Sequence, residues 1–115
     1  MTTSTKPFKA AVIQAASIPT DSIQCALKAA SLIREAASNG AKVQVFPEAF
    51  LGGYPKGNSF GSPIGRRKRT GRDAYATYYS QAISLDGEEI EIINEAVADT
   101  GAVVVMGCIE RDGGT

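Results

Sequence analysis

The sequence of 115 residues is long enough for one folded domain, and 43% apolar with 21% charged residues is typical of a globular protein. Twelve Lys and Arg residues balance twelve Asp and Glu residues, which excludes a polycation that binds nucleic acid by bulk charge. The chain contains no histidine, so hydrolytic chemistry would have to use carboxylate, lysine, thiol or tyrosine groups.

The first half of the chain predicts a β-α-β unit. Residues 8–16 (FKAAVIQAA) form a compact apolar run that predicts a strand buried on both faces. Asp21 is a suitable N-cap for an amphipathic helix over 22–39, and Gly40 follows where a left-handed residue ends a helix. Residues 42–46 (KVQVF) predict a second strand. The short connections predict two parallel strands joined by a right-handed crossover.

The second half of the chain begins with a long irregular segment. Residues 48–71 contain six glycines and two prolines without a usable period, which predicts a functional or disordered loop. Helices are predicted over 72–83 and 88–100, with Gly101 ending the second of them, and the apolar residues 102–109 predict a third strand. Residues 111–114 have the composition of a hairpin turn, but no returning strand follows, so we expect the domain to be incomplete.

The cysteine content and the apolar runs predict a reduced, cytoplasmic protein. Two cysteines are too few for a disulfide scaffold. The apolar run near the N-terminus is short for a secretion signal, and no window approaches the roughly 18 apolar residues of a membrane span. We therefore expect neither a membrane nor a nucleic acid as partner.

Glu48 is the first candidate for a catalytic group. It follows the second parallel strand, at the edge where open α/β sheets bind their ligands. Apolar neighbours would make its carboxylate a stronger base, and Tyr54, six residues further on, could line the same pocket. From position alone, a solvated glutamate that begins a loop is the alternative, because most carboxylates that follow strands are not catalytic.

Two other motifs are weaker indications of a binding function. Gly52 and Gly57 have the spacing of a phosphate-binding loop, but Asn58 stands where that motif needs lysine. Residues 66–69 (RRKR) form the only charge run and could contact phosphates or an acidic partner. The run has no interleaved aromatic residues and the chain has no net basic charge, which favours a solvated loop tip instead. We therefore expect no nucleotide cofactor, and because the chain has no histidine we expect no metal site.

Three blocks of sequence together resemble the nitrilase branch of the carbon–nitrogen hydrolase superfamily. The block FPEAFLGGYPKG at 46–57 is similar to the first active-site block of that superfamily. The blocks GRDAYATYYSQAI at 71–83 and MGCIERDGG at 106–114 resemble the nitrilase branch specifically. The resemblance implies a four-layer αββα sandwich and a cofactor-free conversion of a nitrile to a carboxylic acid and ammonia.

The resemblance also implies a mechanism. Glu48 matches the general base of the family, and Tyr54 matches a tyrosine commonly found close to it. A cysteine thiol attacks the nitrile carbon to give a thioimidate, and water then releases ammonia and the acid, while a lysine stabilises the tetrahedral intermediates.

The chain departs from the family pattern because it ends before the blocks that carry the lysine and the cysteine. Cys108, Lys56 and Lys68 match neither of them, and Cys25 lies within the predicted first helix. We therefore expect a flexible arm over 1–7, followed by the N-terminal portion of a carbon–nitrogen hydrolase domain over 8–115. We expect this chain to be inactive by itself and the complete protein to form a homo-oligomer. A non-catalytic α/β module that binds or interacts with partners remains the alternative.

Overall fold

A computed structural model describes residues 6–18, 21–52 and 82–111. The three strands in these ranges form one sheet in chain order, and both pairings are parallel. In chain order, the elements are β1 (Lys9–Val12), α1 (Ser22–Ser38), β2 (Ala41–Val45), α2 (Glu88–Thr100) and β3 (Val103–Val105). This arrangement confirms the predicted β-α-β unit and places β2 in the centre of the sheet.

The ends of both helices are set by the residues that the sequence indicates. The carboxylate of Asp21 accepts a hydrogen bond of 2.9 Å from the backbone nitrogen of Gln24, so Asp21 is the N-cap of α1. Gly40 and Gly101, which follow α1 and α2, have φ angles of 90° and 69°. A side chain at such φ angles is strained, so glycine suits both positions.

The two helices pack against each other, and both therefore lie on one face of the sheet. The core cluster to which both helices contribute is rich in buried alanine: Ala26, Ala29, Ala30 and Ala96. Ile33 is fully buried beneath them, and Gln44 of β2 donates a hydrogen bond of 3.1 Å from its buried Nε2 to the carbonyl of Ile33. The core thus lies between the helices and one face of the sheet.

The opposite face of the sheet is apolar and exposed in the part of the chain that the structure describes. Side chains alternate between the two faces of a strand, and the strand pairing places Val12, Val45 and Val105 side by side on this face. Val103 lies on the same face, two residues before Val105. Their exposed fractions are 78% for Val12, 39% for Val45, 61% for Val103 and 54% for Val105. We call these four residues the valine face. The prediction of a first strand buried on both faces is wrong here, because the described helices cover one face only.

The remaining predictions differ from the structure in extent or fall outside it. β3 ends at Val105, whereas the predicted strand extends to 109. The chain continues over 106–111 with single bridges from Cys108 to Leu51 and from Glu110 to Ile83. Most of the predicted loop and of the predicted helix over 72–83 lies outside the described residues. No helix within the described ranges is long and apolar enough to span a membrane.

Candidate functional site

Glu48 lies in a tight turn at the C-terminal end of the central strand. The backbone nitrogen of Phe50 donates to the carbonyl of Pro47 at 3.3 Å, which closes a four-residue turn with Glu48 as its second residue. Ala49, the third residue, has a φ of 52°, the left-handed conformation that non-glycine residues rarely adopt. Such a conformation persists when the surrounding contacts determine it.

Backbone hydrogen bonds hold the chain on both sides of this turn. Before it, the nitrogen of Phe46 donates to the carbonyl of Val105 at 2.9 Å. After it, the nitrogen of Leu51 donates to the carbonyl of Gly107 at 3.1 Å, and the nitrogen of Ile109 donates to the carbonyl of Leu51 at 2.8 Å. The turn that carries Glu48 is therefore fixed by β3 and by the segment that continues it.

Gly107 lets that segment pass directly beneath the turn. A Cβ atom on Gly107 would lie 2.2 Å from the carbonyl oxygen of Pro47, 2.7 Å from the nitrogen of Ala49 and 2.8 Å from the Cα of Glu48. All three are backbone atoms, so no side chain could move aside. The sequence motifs do not indicate this residue, although an isolated glycine in a strand pattern is a known sign of close backbone approach.

The turn points Glu48 outward while its neighbours point inward. Ala49, Phe50 and Leu51 are buried, and Phe46 and Phe50 pack edge to face with ring centres 5.4 Å apart. Glu48 itself is exposed. The expected apolar surroundings of its carboxylate are therefore not provided by the described residues, because the apolar side chains next to it in sequence face the core.

An open depression lies beside the turn, along the ends of β1 and β2. Its volume is about 500 Å³, and it is lined by residues 12–16 and 45–47. The nitrogen of Ile13 donates to the carbonyl of Val45 at 2.8 Å, which continues the pairing of the two strands along this depression. It occupies the carboxyl edge of a parallel sheet, where ligands commonly bind.

Neither cysteine has the surroundings of an activated nucleophile. Cys25 is buried in α1 with an exposed fraction of 1%. Burial, and secondarily the negative charge of Glu110, raise the pKa of the Cys108 thiol above its ordinary value. A raised pKa keeps the thiol protonated near neutral pH, which supports the interpretation that Cys108 is not the family nucleophile.

Several of the other candidate residues fall outside the part of the chain that the structure describes. Tyr54, Lys56, Lys68 and the basic run at 66–69 lie outside the described residues. Among the residues that are described, no three or more Cys, Asp or Glu side chains are grouped so that they could hold a metal ion.

Comparison with known proteins gives consistent matches over nearly the whole chain. A family model described as carbon–nitrogen hydrolase matches residues 9–115. The chain is 61% identical over 108 residues to "Nitrilase blr3397" of Bradyrhizobium diazoefficiens, which covers 94% of this chain and 34% of that protein. It is 50% identical over 108 residues to "Aliphatic nitrilase" of Sinorhizobium fredii, covering 94% and 35% respectively.

A plant protein matches over a similar range. The chain is 43% identical over 112 residues to "Bifunctional nitrilase/nitrile hydratase NIT4A" of Nicotiana tabacum, covering 97% of this chain and 32% of that protein. The chain therefore spans about a third of the length of the curated relatives that it matches.

Proposed function

Since the chain belongs to the carbon–nitrogen hydrolase family, we propose that the full-length protein carrying it is a nitrilase with Glu48 as general base. The reaction would convert a nitrile and two water molecules to a carboxylic acid and ammonia. The geometry of the Glu48 turn is the observation that carries the residue assignment: the turn follows the central strand and is bonded to the chain on either side.

Glu48 would act on protons in both halves of the reaction. It would accept the proton of a cysteine thiol as the sulfur forms a bond to the nitrile carbon, and that proton would pass to the nitrile nitrogen to give a thioimidate. It would then activate water, so that ammonia leaves and a thioester forms. A second water would release the acid and regenerate the thiol. The cysteine, and the lysine that stabilises the tetrahedral intermediates, would come from outside these 115 residues.

Three further expectations belong to the same proposal. Tyr54 would line the nitrile pocket next to Glu48. The full-length protein would assemble as a homo-oligomer in the cytoplasm. An aliphatic nitrile is the first substrate to test, because one relative is named an aliphatic nitrilase, and the amide should be measured with the acid because another is named a bifunctional nitrilase and nitrile hydratase.

The test is an assay of the purified full-length protein with a panel of aliphatic and aromatic nitriles. We expect ammonia and carboxylic acid to appear in equal amounts, apart from any amide that is released. Absence of acid, amide and ammonia with every nitrile of the panel would contradict the proposal and would favour a non-catalytic α/β module.

A further inference from the structure

A serine from a distant part of the chain is bonded to the Glu48 turn. The hydroxyl of Ser17 donates a hydrogen bond of 2.7 Å to the carbonyl oxygen of Phe50. The next backbone nitrogen, that of Leu51, donates to the carbonyl of Gly107 at 3.1 Å. Both polar groups of the peptide between Phe50 and Leu51 are thus bound, one by the segment before α1 and the other by the segment after β3. This peptide cannot rotate without breaking one of these bonds.

Ser17 is itself held in place by α1. The backbone nitrogen of Ile18 donates to the sulfur of Cys25 at 3.2 Å, and the thiol of Cys25 lies 3.0 Å from the carbonyl of Ile18. One turn further along α1, the Nζ of Lys28 donates to the carbonyl of Ala16 at 2.6 Å. Residues 16–18 are therefore bound to the first two turns of the helix.

The number of protons that the Ser17 hydroxyl and the Cys25 thiol can donate shows which of these hydrogen bonds can exist at the same time. A hydroxyl has one proton, and the Phe50 carbonyl can only accept, so the Ser17 proton is used there. Cys25 lies 3.3 Å from the Ser17 oxygen, and its single proton can go either to that oxygen or to the carbonyl of Ile18. In both arrangements the bond from Ser17 to Phe50 is kept.

We propose that Ser17 is a positioning residue for Glu48, acting through its hydrogen bond to the carbonyl of Phe50. This inference rests on the proposed function, because it assumes that Glu48 is the general base. Ala49, between Glu48 and Phe50, has the left-handed φ of 52°, which is maintained only while the turn is held. Without the Ser17 hydroxyl, the Phe50 carbonyl loses that donor and the turn is free to relax, which displaces the Glu48 carboxylate.

The test compares two serine substitutions in the full-length protein. Ser17→Ala removes the hydroxyl that holds the turn. Ser38→Ala is the matched control, because the hydroxyl of Ser38 also donates at 2.7 Å to a backbone carbonyl, that of Glu35, at the C-terminal end of α1. Displacement of a catalytic group by about 1 Å can cost 100-fold in rate, so we expect Ser17→Ala to lower kcat by about 10- to 100-fold with KM within about twofold. Ser38→Ala should leave both unchanged.

Two further variants separate positioning from a loss of folding. Ser17→Thr keeps the hydroxyl and should restore kcat to within about threefold of the wild type, whereas Ser17→Cys has a weaker donor of similar size and should give an intermediate kcat. All rates are measured well below Tm and normalised to folded protein. If Ser17→Ala does not fold, the ranking of Ser17→Thr above Ser17→Cys still tests the proposal.

The outcomes distinguish this inference from the proposed function. If Glu48→Gln is inactive but Ser17→Ala has the kcat of the wild type, the positioning role is wrong and the proposed function stands. Where Ser17→Ala does not fold, a wild-type kcat of Ser17→Cys leads to the same conclusion. If Glu48→Gln keeps its activity, the assignment of Glu48 is wrong, and the role of Ser17 fails with it. A rise in KM alone after loss of the hydroxyl would also overturn the positioning role, since it would indicate a binding contact.

Discussion

Cys108 illustrates at the scale of a single residue how surroundings decide reactivity. It bridges to Leu51 directly after the Gly107 contact and is half-buried, with Glu110 two residues further along. Burial disfavours the thiolate, and the nearby carboxylate disfavours it further, so the pKa is raised by both effects. The position close to Glu48 thus does not make this thiol a nucleophile.

The raised pKa of Cys108 predicts the pH dependence of its alkylation. Because only the thiolate reacts, the rate with iodoacetamide should rise with pH and reach its midpoint above the ordinary value for cysteine. Glu110→Gln removes the smaller of the two causes and should move the midpoint down, but not below the ordinary value. Peptide mapping by mass spectrometry distinguishes Cys108 from the buried Cys25. A midpoint at or below the ordinary value in the wild type would contradict the account.

At the scale of elements, the site depends on two segments that meet backbone to backbone. Gly107, in the segment after β3, lies against the backbone of Pro47, Glu48 and Ala49. In the full-length protein, Gly107→Ala should destabilise the fold by about 1–3 kcal/mol, as overpacking does, and should lower kcat because the Glu48 turn must shift. Thermal unfolding and steady-state kinetics measure the two effects.

Gly101→Ala is the matched control for Gly107→Ala. A Cβ atom on Gly101 would meet no other described atom within 4 Å, but the φ of 69° is left-handed, so alanine there should cost about 1–2 kcal/mol without changing kcat. If both variants lose stability and neither loses kcat, the close approach at Gly107 has no role in positioning Glu48.

Sequence patterns predicted the elements well where local chemistry sets them. The residues of α2 are those that the periodicity indicates. Asp21 caps the start of α1, and Gly40 and Gly101 follow the ends of α1 and α2, as expected because capping depends on neighbouring residues alone. The lengths of β1 and β3 were overestimated, because an apolar run does not show where strand pairing stops.

The candidate site was predictable only in part. The position of Glu48 after β2 follows from the motif and the strand order. The bond from Ser17 to Phe50 joins residues 33 positions apart, and the contact of Gly107 with the turn depends on the register of β3. No local pattern encodes such contacts, and none indicates the left-handed conformation of Ala49 beside Glu48.

At the scale of the whole molecule, the valine face predicts the behaviour of the 115-residue chain by itself. One face of the sheet is covered by α1 and α2, and the other presents Val12, Val45, Val103 and Val105. In the αββα sandwich of this family, such a face packs against a second sheet. A contiguous apolar face of this kind favours association in water when nothing covers it.

We therefore expect the isolated chain to be aggregated, oligomeric or loosely packed, and to lack nitrilase activity. Size-exclusion chromatography and thermal unfolding measure the first property, and ammonia release measures the second. Val12→Thr with Val105→Thr should shift the chain towards monomer. The control Leu27→Thr should not, because Leu27 is 46% exposed on α1, away from the valine face. A sharp, reversible, monomeric transition of the unmodified chain would contradict this expectation.

The most direct test of the central claim is the turnover of Glu48→Gln in the full-length protein. The substitution keeps the size of the side chain and removes its basicity, so we expect acid and ammonia release to fall at least ~100-fold with Tm unchanged. The control is Glu95→Gln, which makes the same change to an exposed carboxylate on α2 and should retain the activity of the wild type. A folded Glu48→Gln protein with near wild-type turnover would show that Glu48 is not the general base.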